Sequence, residues 1–265
     1  MMNIETRPRL GLCNTLGTWS LYRREVLRFF KIAGQTFFAP VITALLFLAI
    51  FNLAFAGQGR SAGNVPFIQF LVPGLILMAV MTASFANASF SLMFEKIVET
   101  IVDTLMPPMS PGELTIGYVL ASTTRGLLVG IAVLIGMLIF TKVQIHSWIF
   151  ILFHAIAASM LMSVLGLITA IWAEKIDHVA SINNFVILPL TFLSGTFYST
   201  QHLPEIFQKV AYFNPFFYVI DGFRYGFIGI HDGNLILGIL ILTILIIFFW
   251  SSCVILFASG FKLKS

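Results

Sequence analysis

The chain has 265 residues, 58% of them hydrophobic and 10% charged, with a mean hydropathy of +0.97. A soluble domain carries about 25% charged residues and has too little interior to hide so much apolar surface, so a soluble fold is excluded and the excess faces lipid. The formal net charge of +4 would suit nucleic acid, but the basic residues flank apolar runs instead of forming a patch, so no nucleic-acid partner is expected.

The first 34 residues are peppered with charge and lack the short apolar core of a cleavable signal peptide. Within them, residues 15–33 place Trp19, Tyr22, Val26, Phe29 and Phe30 on one helical face. Arg24, Arg28 and Lys31 fall on another. This pattern predicts an amphipathic helix in the membrane interface, basic toward anionic head groups and aromatic toward acyl chains. It serves either as an anchor alone or also as a docking point for a partner.

A spanning helix needs roughly 20 apolar residues, and six runs qualify: 35–56, 67–94, 115–140, 148–172, 179–198 and 235–257. Spans of this length are helical, because lipid offers no partners for backbone N–H and C=O groups. The expected fold is therefore all-α. It comprises a segment 1–34, a six-helix domain 35–261 and a short tail 262–265, with the two tails on one side of the membrane. That side holds Arg7, Arg9, Arg23, Arg24, Arg28, Lys31, Lys96, Lys175, Lys262 and Lys264. The other holds Arg60, Lys142, Lys209 and Arg224. Ten against four places both termini in the cytoplasm. The Gly57-Gln58-Gly59-Arg60 stretch reads as an external loop.

After the second run, Glu95, Glu99 and Asp103 recur every four residues, which would align them on one helical face. Apolar residues from Ile97 to Leu105 fill the opposite side, and Met106-Pro107-Pro108-Met109-Ser110-Pro111 stops the helix. The acidic face is either solvated or a handle for a soluble motor. Arg125 lies about ten residues into the third run, where a charge is costly unless it is paired or snorkels to the interface. Its expected partners are in the acidic row. Asn183, Asn184 and Pro189 interrupt the fifth run and mark a helix contact or a water-facing wall.

Residues 203–228 are aromatic but broken by Pro204 and Asn214-Pro215. Asn suits a helix cap and Pro a first turn, so two short re-entrant helices are expected here instead of a seventh span. Asp221 and Arg224, three apart, read as an ion pair.

No phosphate-binding loop of the Gly-x4-Gly-Lys-Ser/Thr type is present. Five histidines are scattered singly, and Cys13 and Cys253 stand at opposite ends of the chain. Neither set makes a metal site or a disulfide framework. No catalytic cluster emerges, and no bound cofactor is expected.

The run Leu188-Pro189-Leu190-Thr191-Phe192-Leu193-Ser194-Gly195-Thr196-Phe197-Tyr198, followed by Leu203-Pro204, Asn214-Pro215 and Ile220-Asp221-Gly222-Phe223-Arg224-Tyr225-Gly226-Phe227, resembles the signature of the type-2 ABC transporter permeases, in particular the bacterial YadH-like branch. Glu99 to Pro111, with Gly117-Tyr118 and Arg125-Gly126, resembles the coupling region of that branch.

The resemblance implies a bacterial inner-membrane exporter subunit that works as a homodimer with two ATPase subunits, which alone would use ATP. It also implies ATPase contacts through the interfacial helix and the loop after the second span, with Arg24, Arg28, Glu95, Glu99, Asp103 and Arg125 as coupling candidates. Asn183, Asn184, Pro189, Asn214, Pro215, Asp221 and Arg224 become pathway or external-gate candidates. Two other classes compete. An ion-coupled transporter would carry mid-membrane carboxylates, and none lies in the middle of a run. A membrane-embedded transferase would need a polar catalytic cluster, for which Asp221 and Arg224 are the nearest candidates.

Overall fold

The computed structural model describes residues 14–55, 61–62, 65–200 and 203–263. Cys13, the Gly57–Arg60 loop and Lys264 lie outside the described residues. The regular structure of the described chain is helical, apart from a two-residue antiparallel pairing of β1 (Ser61–Ala62) with β2 (Val65–Pro66).

Six segments are long and apolar enough to cross a membrane: Gly34–Ala54, Phe67–Ile97, Pro111–Leu138, Trp148–Trp172, Ile176–Leu193 and Leu235–Ser259. They match the six expected runs. The first is a π-helical turn, Gly34–Phe38, continued by α2 (Ala39–Phe55). The second, α3 (Phe67–Ile97), has 31 residues. At 1.5 Å per residue that is about 46 Å, longer than a roughly 30 Å hydrocarbon core. The third is α5 (Pro111–Leu138) and the fourth α6 (Trp148–Trp172). The fifth runs as α7 (Ile176–Ile182), a π-helical turn Asn183–Ile187 and α8 (Leu188–Leu193). The sixth is α11 (Leu235–Ser259).

The helix expected over residues 15–33 appears as α1 (Thr15–Lys31), packed against α5. Two short helices, α9 (Glu205–Phe213) and α10 (Pro215–Ile228), precede α11 where the prolines predicted them. Asn214 caps α10 by accepting from Phe216 N. Helix α9 is mostly exposed, with Ile206, Phe207 and Phe213 outward. Helix α10 is nearly all buried, wedged among α3, α6 and α11.

The acidic row does not lie on one helix. Helix α3 ends at Ile97, Glu99 takes a left-handed φ of 62°, and α4 (Ile101–Leu105) starts afresh. Glu95 is therefore buried in the bundle, while Glu99 and Asp103 are exposed. Helix α5 begins at Pro111 through a capping box between Ser110 and Glu113, so the proline cluster ends one helix and opens the next.

The core is α3 packed between α5 and α6. Lipid supplies no hydrophobic drive between apolar helices, so close packing of small residues does this work. A Cβ at Gly126 would overlap Ser84 Oγ and press on Ser159 Oγ and the Val80 carbonyl. A Cβ at Gly166 would press on the Phe85 carbonyl. By contrast α2, α7–α8 and α11 expose most of their surface.

Replacing Gly126 with valine is expected to cost about 1–3 kcal/mol by overpacking. Gly112, with open space around its Cα, should accept alanine without loss. Thermal unfolding of both variants in detergent checks the pair. Equal midpoints would show that α3, α5 and α6 do not meet at Gly126.

Candidate functional site

The largest polar cluster sits where α1 meets the ends of α3, α4 and α5. Helix α1 turns Leu21, Glu25 and Phe29 inward, at spacings of four. Glu25 is 1% exposed. It holds Arg28 at 2.9 Å and Arg24 at 3.3 Å, and it accepts from Ser91 of α3. Arg24 then crosses to Glu95 at 2.5 Å and donates to Thr104 at 2.9 Å. Glu95 also accepts from Thr104 at 2.8 Å and from Tyr118 at 2.7 Å. One carboxylate thus ties α1, α4 and α5 to α3. Partial burial works against the Arg24 charge, but Glu95, Tyr118 and Glu25 outweigh it and raise its pKa.

A second tier lies deeper. Asn87 Oδ1 accepts from Arg28 and from Arg125, each at 3.2 Å, and Asn87 Nδ2 donates to Ser122 at 2.9 Å. Deeper still, Ser84 donates to Ser159 at 3.1 Å. Arg125 therefore meets an amide and not the acidic row, because Arg24 has taken Glu95 while Glu99 and Asp103 point to solvent.

The expected orientation of α1 also changes. Arg24 and Arg28 reach into the bundle with their guanidiniums while staying partly exposed, and Arg23 and Lys31 lie on the exposed surface. Sequence reasoning passed over Glu25 and Asn87, and placed Thr104 and Tyr118 only within the stretches that resemble a coupling region. For Glu25 a signal exists, because it stands between Leu21 and Phe29 on one stripe.

At the same end, Lys96 donates to the Ala170, Ile171 and Ala173 carbonyls at 3.0, 3.0 and 2.6 Å. This cation closes the C-terminus of α6, where free carbonyls and the helix dipole favour it. Lys262, just past α11, pairs with Glu174 at 2.6 Å, and that hydrogen bond and charge hold the Glu174 carboxyl below its ordinary pKa.

The opposite end is stitched by α10. Arg224 is 2% exposed; it donates to the Gly195 carbonyl at 2.5 Å and lies 3.8 Å over the Phe70 ring. Asp221 accepts from the Asp232 and Gly233 N–H groups at 2.7 and 2.9 Å. The expected Asp221–Arg224 ion pair is thus absent, since each side chain answers backbone groups from another segment. Asn214 donates to the Leu190 carbonyl and to Ser194 Oγ at 2.6 and 2.8 Å. These bonds fasten α10 to the end of the fifth span. Asn183 donates to Asn184 at 3.1 Å in the π-helical turn. Asn184 and Pro189 face outward from the chain.

A cleft of about 550 Å³ runs between α2 and α3. It is walled mainly by apolar residues between Ala39 and Phe47 and between Leu75 and Phe90, with the polar Gln35, Thr43 and Thr82 beside them, and Arg28 and Arg125 stand in its lining. The described residues hold no cluster of three or more metal-ligating side chains.

These features define a multi-pass membrane protein whose polar residues gather at the two ends of a tight helical bundle. The profile of the ABC-2 type transporter family matches residues 17–228, and the chain belongs to that family. It is 36% identical over 246 residues to the inner membrane transport permease YadH of Escherichia coli K12, covering 93% of this chain and 96% of that protein. It is 29% identical to nodulation protein J of Rhizobium leguminosarum bv. viciae, covering 93% and 94%, and 26% identical to nodulation protein J of Neorhizobium galegae, covering 91% and 92%. The chain is a permease of an ABC-type transporter, multi-pass in the inner membrane.

Glu95→Gln and Tyr118→Phe should each cost about 1–2 kcal/mol, the worth of a charge-assisted bond discounted for the half-exposed Arg24. Because both act on one carboxylate, the double variant should lose less than the sum of the single losses. Equilibrium unfolding of the four proteins measures the difference. Strict additivity would show that Tyr118 and Glu95 do not interact.

Proposed function

We propose that two copies of this chain form the substrate pathway of an exporter, driven by two separate cytoplasmic ATPase subunits. The observation that carries this reading is the Arg24–Glu95 pair with its Thr104 and Tyr118 partners. A motor must push on something that moves the spans. Here the surface elements α1 and α4 are bonded to the long spans α3 and α5 through one charged group, so a displacement of either is delivered to both spans. Glu99 and Asp103, exposed on and beside α4, are the groups a soluble partner would meet first. The chain has no phosphate-binding loop, which supports placing ATP hydrolysis in the partner.

On this reading residues 1–34 and 262–265 are cytoplasmic flanks, and α9 and α10 cap the pathway on the outer side. The second copy covers the exposed face of α7–α8, where Asn183, Asn184 and Pro189 interrupt the apolar surface. Neither rival class gains support. No carboxylate lies mid-span for an ion-coupled cycle, and Asp221 and Arg224 are both engaged with backbone groups, which leaves a transferase without free catalytic groups.

The purified chain in lipid should hydrolyse no ATP, and addition of its ABC ATPase should produce hydrolysis. Arg24→Ala should then lower transport per ATP more than it lowers hydrolysis. Hydrolysis by the chain alone, free of other proteins, rules the reading out.

Topology has its own check. In a background lacking Cys13 and Cys253, cysteines at Lys142 and Lys209 should react with an impermeant reagent outside the cell. Cysteines at Glu99 and Lys175 should react only after the membrane is opened. The reverse pattern would invert the orientation and remove α4 from the reach of a cytoplasmic motor.

A further inference from the structure

The charges in the α1 cluster do not balance. Arg24, Arg28 and Arg125 bring three guanidinium groups, while Glu25 and Glu95 bring two carboxylates. Arg24 and Arg28 take both acids. Arg125 has one hydrogen bond, to an amide oxygen that it shares with Arg28, and two like charges on one neutral acceptor repel. The Nε atoms of Arg28 and Arg125 are buried with no partner. A cation close to hydrocarbon in this state is expensive.

Both arginines line the cleft between α2 and α3, and no acidic residue is among the residues lining it. The rest of its wall is mainly apolar: Ala39, Phe47, Leu75 and Ala83 are representative. The cleft therefore presents positive charge in a mainly apolar trough, with Gln35, Thr43 and Thr82 as its neutral polar members.

Arg28 lies in α1, shortly before the first span begins at Gly34, and Arg125 reaches the same Asn87 oxygen, so both guanidiniums belong near one end of that span, where a lipid head group would be met. An acyl chain fits the apolar walls, and a phosphate offers several oxygens to guanidinium N–H groups.

We propose that this cleft binds an anionic membrane phospholipid, its phosphate on Arg125 and Arg28 and an acyl chain along α2 and α3. The lipid supplies the missing negative charge. It also makes the seating of α1 on the bundle depend on the anionic lipid content of the membrane.

The test uses the full chain in nanodiscs of phosphatidylcholine with a minority of phosphatidylglycerol, released into a mass spectrometer to count retained lipids. The wild-type chain should retain phosphatidylglycerol over phosphatidylcholine. Arg125→Gln should cut that preference about fivefold, the usual worth of one basic side chain toward an anionic lipid. Arg125→Lys should keep most of it, and Arg23→Gln, which alters an exposed cation on α1 outside the cleft, should keep all of it. Monodisperse elution of each variant separates lost binding from lost folding.

Three results overturn the proposal: equal retention of both lipids by the wild-type chain, unchanged retention of phosphatidylglycerol by Arg125→Gln, and displacement of the lipid by inorganic phosphate, which would make the site one for a small anion. A fourth outcome also counts against it: disulfide dimers formed through Thr43→Cys in discs that contain phosphatidylglycerol would show a second copy filling the cleft instead.

Discussion

A carboxylate beside hydrocarbon must be answered from every side, and Glu95 is answered from three. Arg24 comes from α1, Thr104 from α4 and Tyr118 from α5. Without that acid, α4 would have little to hold it, since five residues cannot sustain a helix in isolation. Helix α1 would keep its apolar contacts through Leu21 and Phe29 but lose the bond that sets its position along α3. The arrangement of this whole end of the bundle follows from keeping this group paired.

Below that tier the spans use a different economy of contact. Ser84 meets Ser159, glycines at 126 and 166 admit neighbouring atoms, and α3 packs closely against α5 and α6. Polarity falls with depth, from ion pairs to amide and hydroxyl bonds to close van der Waals packing. That gradient follows the rising cost of an unpaired polar group toward the middle of a membrane.

The six spans were legible in the sequence because membrane thickness imposes a length that few other folds imitate. Asn214-Pro215 likewise announced α10, since capping chemistry is local. The acidic row misled because nothing between Lys96 and Thr100 is a helix breaker; only the backbone at Glu99, with its positive φ, divides the segment. Glu25 went unread because an interfacial helix invites the assumption that its charges face water. Asp221 and Arg224 looked like a pair at helical spacing, but Gly195, Asp232 and Gly233 stand nearer in space than in sequence. Local periodicity cannot rank a neighbour three residues away against one brought in by the fold.

The two π-helical turns, Gly34–Phe38 and Asn183–Ile187, have a consequence for how such a molecule can move. Lys96 clamps the end of α6 to α3 through three carbonyls, and close packing joins α5 to both, so these helices form a single stiff block. A widened turn departs from the regular i to i−4 ladder and weakens it locally. Both widened turns fall in spans that lie largely outside that block. Bending is therefore cheapest at two places, each about one turn long; such a bend would act on α2 at the first and on α7 at the second, since Asn214 fastens α8 to the buried α10.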